Sequence, residues 1–403
     1  MVEVRPVTSR WSFAFAATLA LGCGSKNDPP SDGVDSGTAK PDTAAIDTAP
    51  EASIDTAPEV DPDVGDPEAD APIGLETCEQ PPPLGAPAPS LKDAGLYRDF
   101  ATKTLKGCWV EFKPRYTLWS DGLEKRRFIS LPPGTKVDVS NMDRWTFPVG
   151  TRVFKEFALA SGQRVETRLI ERTPDGFIMG SYVWNADGSN AIYTEAGTST
   201  TAVLNPEAAP ADQKTHDVPS NHDCHRCHDG ETGKLLGFSA VQLSKPGPGI
   251  NFKGLAERAF DVGAWRDDPP KTDTGIDYPI PGKTIEADAF GVLHANCGHC
   301  HNSLGEAGSL VTMRLRVAIG GDASMGYFAT TDNITSTTVG VDLQFPTVTP
   351  GYTKRLVLGS LGVDQSGMYY RDSRRGDPAQ MPPLATKLPN TALLGAVKAW
   401  LEE

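Results

Sequence analysis

Two short stretches, Cys224-His225-Arg226-Cys227-His228 and Cys297-Gly298-His299-Cys300-His301, share the spacing C-x-x-C-H. Two thiols three positions apart can each add to one vinyl group of the same porphyrin. The histidine after the second cysteine is then held under the ring, where its imidazole can ligate iron. This is the attachment signature of a c-type haem. The expected cofactors are therefore two covalently bound haem c groups, one on Cys224, Cys227 and His228 and one on Cys297, Cys300 and His301. Tetrahedral zinc is the competing chemistry for paired cysteines. Zinc does not need a histidine directly after the second cysteine, and it does not explain why both pairs carry one.

All seven histidines lie between His216 and His301, a clustering not expected of residues that serve only as core or surface. For the far side of the first iron, His216 has the right chemistry and enough slack. His222 stands two residues before Cys224 and has difficulty reaching the opposite face of its own ring. Met179, Met313 and an open position stay as alternatives. His225 and His299, inside the motifs, are expected to point away from their own irons, and His294 to be structural.

Thioether attachment takes place outside the cytoplasm, so an export signal matters. Arg5 and Arg10 precede the apolar run Trp11 to Leu21, which is too short for a membrane-spanning helix. The run ends Ala20-Leu21-Gly22-Cys23. This resembles a bacterial lipobox, with Ala20 where Leu is usual, and makes Cys23 the expected lipidation site and residues 1–23 a lipoprotein-type signal peptide. An ordinary signal peptide cleaved nearby is the alternative. No transmembrane helix is expected in the mature chain. Cys78 and Cys108 remain over, and an oxidising compartment makes a disulfide between them the favoured expectation against two buried thiols.

The formal net charge is −14, but it is unevenly spread. Residues 24–77 hold 14 Asp or Glu against 2 Lys, which leaves the rest of the chain close to neutral. Nucleic acid is not implied as a partner, and no glycine loop is built to cradle a nucleotide. Residues 24–76 are rich in Asp, Pro, Ala and Thr, and Ile46 to Glu51 recurs as Ile54 to Glu59. Such a segment cannot bury enough apolar surface to offset its conformational entropy. It is expected to be a disordered acidic tether.

The elements that must position the motifs follow. Residues 77–205 read as a β-rich domain. Val137 and Val139, then Trp145, Phe147 and Val149, then Val165, Thr167 and Leu169 alternate with polar neighbours, and Phe177 to Trp184 is a denser run. Pro132-Pro133-Gly134, Pro174-Asp175-Gly176 and Asp187-Gly188 supply turns. The rhythm suggests an antiparallel sandwich or barrel of about seven or eight strands. Trp109, Trp119, Trp145 and Trp184 are read as core in preference to an aromatic carbohydrate groove, and Asp121-Gly122 as a turn in preference to a cation site. Residues 206–280 are expected to be a loop-heavy segment carrying the first haem. Residues 281–403 look helical, with Ala287 to Asn296 entering the second motif. Thr391 is the expected N-cap of a last helix with Leu393, Leu394, Val397, Trp400 and Leu401 on one face. The fold class is thus multidomain β + α: an antiparallel β-rich N-terminal domain, a loop-rich haem-carrying region and a cytochrome c-like C-terminal domain.

Residues 281–403 resemble class I cytochromes c in the Cys297 to His301 motif, the terminal helix and Met381. That likeness implies that Met381, in Gln380-Met381-Pro382-Pro383, ligates the second iron; Met/His ligation raises the reduction potential. From about residue 90 onward the chain also resembles a bacterial family of exported, largely uncharacterised dihaem c-type cytochromes. The likeness lies in Leu118 to Asp121, Arg127 to Gly134, Phe147 to Thr151, Val165 to Leu169, Tyr182 to Asn185, Asn296 to Asn302 and Met381 to Pro383. It implies two covalent haems after a non-haem N-terminal half, and no particular reaction.

The expected function is therefore electron transfer between redox protein partners, by a chain held to a membrane through an acylated Cys23. Its expected location is periplasmic or on the cell-surface side of the outer membrane. A carrier is favoured over a catalyst. The alternatives are a dihaem peroxidase-type enzyme with one open iron, and a β-domain binding module with an appended redox unit. Arg371, Arg374 and Arg375 could help dock an acidic partner; a solvated surface is the plainer expectation for them.

Overall fold

The computed structural model describes residues 82–204, 215–243, 278–322 and 326–403. The chain divides into two units, 1–69 and 70–403, and every described residue lies in the second. The expectations for Cys23, the segment 24–76 and Cys78 lie outside the described residues, as does most of the Gly- and Pro-rich stretch after residue 243.

Strands β1 (Tyr97–Asp99) and β2 (Thr104–Leu105) form a small antiparallel pair. The main sheet contains β3 (Val110–Glu111), β4 (Glu124–Ser130), β5 (Arg152–Ala158), β6 (Arg164–Thr173), β7 (Gly176–Trp184) and β8 (Ala191–Thr194). They are paired in chain order, each antiparallel to the next. The turns follow from the sequence. Pro174 and Asp175 alone connect β6 to β7, and Gly188 turns between β7 and β8 with a φ of 67°, a conformation that glycine adopts without strain.

Alternation splits the sheet into two apolar faces. Phe128, Phe154, Leu169 and Tyr182 pack with Leu91, Leu96 and Trp109 on one side. Ile129, Val153 and the half-buried Ile170 pack with Trp145, Phe147 and Phe238 on the other. The sheet is therefore covered on both sides, but by irregular segments. The expected sandwich or barrel is corrected to an open six-stranded meander, with further two-stranded pairs beside it among the described residues. Val137 and Val139, then Trp145 and Phe147, bury alternate side chains as strands would, yet residues 137–147 make one isolated bridge, Asp138 to Thr146. Pro132, Pro133 and Pro148 flank the stretch and cannot donate to a ladder.

Strands β9 (Thr198–Val203) and β10 (Thr215–Val218) pair and lead into α1 (Asn221–His228). Helix α2 (Ala240–Leu243) closes the first core. Beyond the undescribed stretch come α3 (Thr284–Asn296), the hairpin β11 (Ala318–Asp322) and β12 (Gly326–Thr330), and α4 (Asp332–Thr338). Then follow α5 (Gly362–Gln365), α6 (Gly367–Ser373) and α7 (Thr391–Leu401). Helices α3 and α7 pack together, with the Phe290 and Trp400 rings edge to face at 4.9 Å. The cap of α7 is Asn390, one residue before the expected Thr391: its Oδ1 accepts from Leu393 N at 3.1 Å. The class is mixed β and α, as the periodicities imply. Among the described residues no helix is long and apolar enough to cross a membrane.

Candidate functional site

The first motif lies on α1, although helical periodicity there is weak. Local capping starts the helix. Ser220 Oγ accepts from Asp223 N at 3.2 Å, and the Asp223 carboxylate accepts from Ser220 N at 3.1 Å. This reciprocal capping box was readable in Ser220-x-x-Asp223, and the expectation of a loop-heavy segment passes over it. The second motif is the turn that ends α3, where His301 N donates to Cys297 O at 2.8 Å. The buried Asn302 fixes that turn. Its Nδ2 donates to Gly298 O and His299 O at 2.8 and 2.9 Å, and its Oδ1 accepts from Leu304 N and Gly305 N at 2.8 and 3.0 Å.

The two motifs touch. One ligand atom from each of Cys227, His299 and Cys300 lies within 4.8 Å of the other two. Gly230 permits the approach: a Cβ there would stand 1.9 Å from His299 O. Arg226 spans to Glu306 at 3.0 Å, and Arg316 pairs with Glu231. The four motif cysteines are free thiols. Burial raises Cys224 to about 11 and pushes Cys297 up as well. Cys227 is held well below the usual thiol range by the Cys300 thiol donating to it, with His299 adding to the effect.

Two clefts open from this junction. The first contains Cys224, Cys227 and His228, together with His216 and Met179. The second contains Cys297, Cys300 and His301, together with Met313, Met368 and Met381. Both are open to solvent and lined mainly by apolar side chains. Trp119, Cys227, His299 and Leu384 line both. His228 Nδ1 donates to Lys234 O at 2.5 Å, which leaves Nε2 unprotonated and able to ligate a metal. His301 Nδ1 is buried without a hydrogen-bond partner. Burial lowers both imidazoles to about 4, so each is neutral at physiological pH.

The other expected residues sort as follows. His216 reaches the first cleft, but its Nε2 is 2.8 Å from Glu166 Oε2. Burial alone would raise Glu166; Arg168 and the His216 hydrogen bond outweigh it and hold the carboxyl at about 2. Met179 and Met313 fall in different clefts. His294 Nδ1 accepts from Val317 N at 3.1 Å, a structural role. His299 stands in the wall shared by the two clefts, beside Cys227 and Cys300. Asp121, in a turn at a φ of 53°, accepts from Lys387 N and Leu388 N, both at 2.9 Å. Trp109, Trp145 and Trp184 are core, whereas Trp119 belongs to the clefts. Cys108 is disulfide-bonded; its partner lies outside the described residues.

Arg371 and Arg375 hold the Met381 loop. They donate to Ala379 O at 2.8 Å and to Met381 O at 3.0 Å. Backbone carbonyls of a loop without regular structure need such donors, so these two side chains serve the loop in addition to any solvated surface. Asp372, between them in sequence, lines the second cleft with Oδ2 unpartnered. Burial raises its carboxyl to about 7.

The donor set suits a thiol-attached porphyrin in each cleft: free thiols, neutral imidazoles, apolar walls and methionine sulfur. Protein-family models, curated proteins and solved structures were all compared with this chain, and none matches.

Proposed function

We propose that the chain binds two haem c groups covalently, one per cleft, and serves as an electron-transfer protein. One observation carries the reading: each C-x-x-C-H stretch opens its own apolar cleft, and the two clefts meet where Cys227 and Cys300 touch. Cys224 and Cys227 would hold the first group, with His228 on its iron. Cys297 and Cys300 would hold the second, with His301 and Met381 as ligands. When bound, such groups supply one-electron redox chemistry. The chain's own part is positioning and exclusion of water. Lys234 O fixes the His228 tautomer, Asn302 fixes the turn under His301, and Arg371 and Arg375 set the loop that presents Met381. The cytochrome c-like character of residues 281–403 rests on α3 packed against α7 with Met381 in the loop before α7. Export, a lipid anchor at Cys23 and a redox protein partner complete the proposal; they rest on the sequence.

A second reading has its own observation. Cys227, His299 and Cys300 could bind one zinc ion, with a fourth position for water. That reading uses one thiol from each motif and leaves the two clefts without a purpose.

Pyridine spectra and metal analysis of protein made with the haem-attachment machinery separate the two. The expected result is two covalent haems per chain, with a sulfur-to-iron band that Met381→Ala abolishes while lowering one midpoint potential. One zinc and no covalent haem would establish the second reading. A high-spin iron that binds cyanide readily would shift the proposal to a haem enzyme.

A further inference from the structure

Directly opposed positions on β4, β5 and β6 carry three cations: Arg127 faces Lys155, and Lys155 faces Arg168. Like charges opposite one another destabilise a sheet, and neighbouring strands lie only about 4.8 Å apart. The next rung on the same face is Ile129, Val153 and Ile170, which is apolar and covered. The charged rung lines the first cleft, alongside Val153 and Ile170 of the apolar one.

The acids nearby are already committed. Glu166 accepts from Arg168 at 2.7 and 3.0 Å, from Ser181 at 2.7 Å and from His216 at 2.8 Å, so both its oxygens are engaged. Asp223 is held by Ser220, and Asp121 by two backbone N–H groups. Lys125, also on β4, donates to Leu118 O at 2.8 Å. Arg127 and Lys155 are left over. Arg127 is 5 % exposed and makes no side-chain hydrogen bond or ion pair among the described residues. Lys155 lies over the Phe157 ring, 4.8 Å from its centroid, and likewise makes none. Burial lowers Arg127 to about 10 and Lys155 well below its ordinary value, the expected mark of cations desolvated without a counter-charge.

We propose that Arg127 and Lys155 form an oxyanion seat in the first cleft, the guanidinium presenting a fork and the ammonium a point charge to one carboxylate or small inorganic oxyanion. A planar fork suits bidentate oxygen recognition, and the lysine adds charge without demanding geometry. Two sources supply that chemistry: the carboxylates of a porphyrin attached at Cys224 and Cys227, and a free anion from solution. The first source rests on the haem proposal; the seat itself rests on the sheet.

The test uses the full-length protein as purified with its attached groups, beside Arg127→Gln and Lys155→Met. Midpoint potentials and melting temperature are measured with sodium phosphate and with sodium chloride at matched ionic strength. If porphyrin carboxylates fill the seat, each variant lowers one of the two potentials and leaves the other, and phosphate changes nothing. If the anion is free, phosphate raises the wild-type melting temperature, as a ligand of the folded state must, and both variants abolish the rise. Loss of a cation from an unfilled like-charged rung should instead stabilise the sheet. Variants that melt higher, with unmoved potentials and no phosphate effect in the wild type, overturn the seat. Should the chain carry no covalent haem, the haem proposal fails alone. The phosphate melts then decide the seat: a rise lost in both variants supports it, and no rise overturns it.

Discussion

At the residue scale, one buried side chain can determine the shape of a motif. Asn302 is 3 % exposed and satisfies four backbone groups of the second C-x-x-C-H turn. Asn302→Ala strands these donors and acceptors, at an expected cost of about 2–4 kcal/mol in chemical denaturation. Asp372 gives a pH signature of opposite sign to an ordinary paired carboxylate. Burial holds its carboxyl at about 7 in the folded chain, above the ordinary aspartate value of 3.8. Between those pH values the folded chain keeps a proton that the unfolded chain has lost, so this group's contribution to stability falls as pH rises and levels off above about 7. Denaturation midpoints of Asp372→Asn across that window should lack the decline that the wild type shows; parallel curves would refute the assignment.

At the element scale, the two motifs reach their positions by different means. Helix α1 is started by its capping box, whereas α3 is held by packing against α7. Trp400 is 2 % exposed and meets Phe290 edge to face. Trp400→Ala should cost about 3–5 kcal/mol. It should also loosen the second motif selectively, read as faster hydrogen exchange at residues 293–305 than on β4 to β7. The six-stranded sheet plays a third part, since one face carries an apolar rung packed into the core and beside it the charged rung of the first cleft.

At the scale of the whole molecule, the contacts between segments far apart in sequence are unequal in worth. Arg226 to Glu306 is an exposed pair, and its removal should cost under about 1 kcal/mol. Arg316 and Glu231 are nearly buried. Arg316→Met leaves the Glu231 carboxylate without its partner and should cost about 3–5 kcal/mol, measured by urea unfolding with Arg226→Ala as the comparison. If the two losses are equal, burial is not what distinguishes them.

The spacing of Cys224, Cys227, His228, Cys297, Cys300 and His301 was local information, and so were the alternation of β4 to β7, their Pro and Gly turns, and the apolar face of α7. Short-range sterics and periodicity settle such features. The capping box at Ser220 was equally local. Other features depended on which distant segments share a surface. The sequence could name His299 as a motif histidine outside the C-x-x-C-H ligand position, but only the tertiary structure brings it to Cys227 in the wall that the two clefts share. Glu166 lies fifty positions from His216, so their bond could not be read from either neighbourhood. A meander also alternates as a sandwich does; what covers its faces is decided by segments such as residues 137–147, which make one isolated bridge between flanking prolines while several of their side chains still bury. Periodicity reports which side chains avoid water. Which partner excludes the water is a property of the assembled chain.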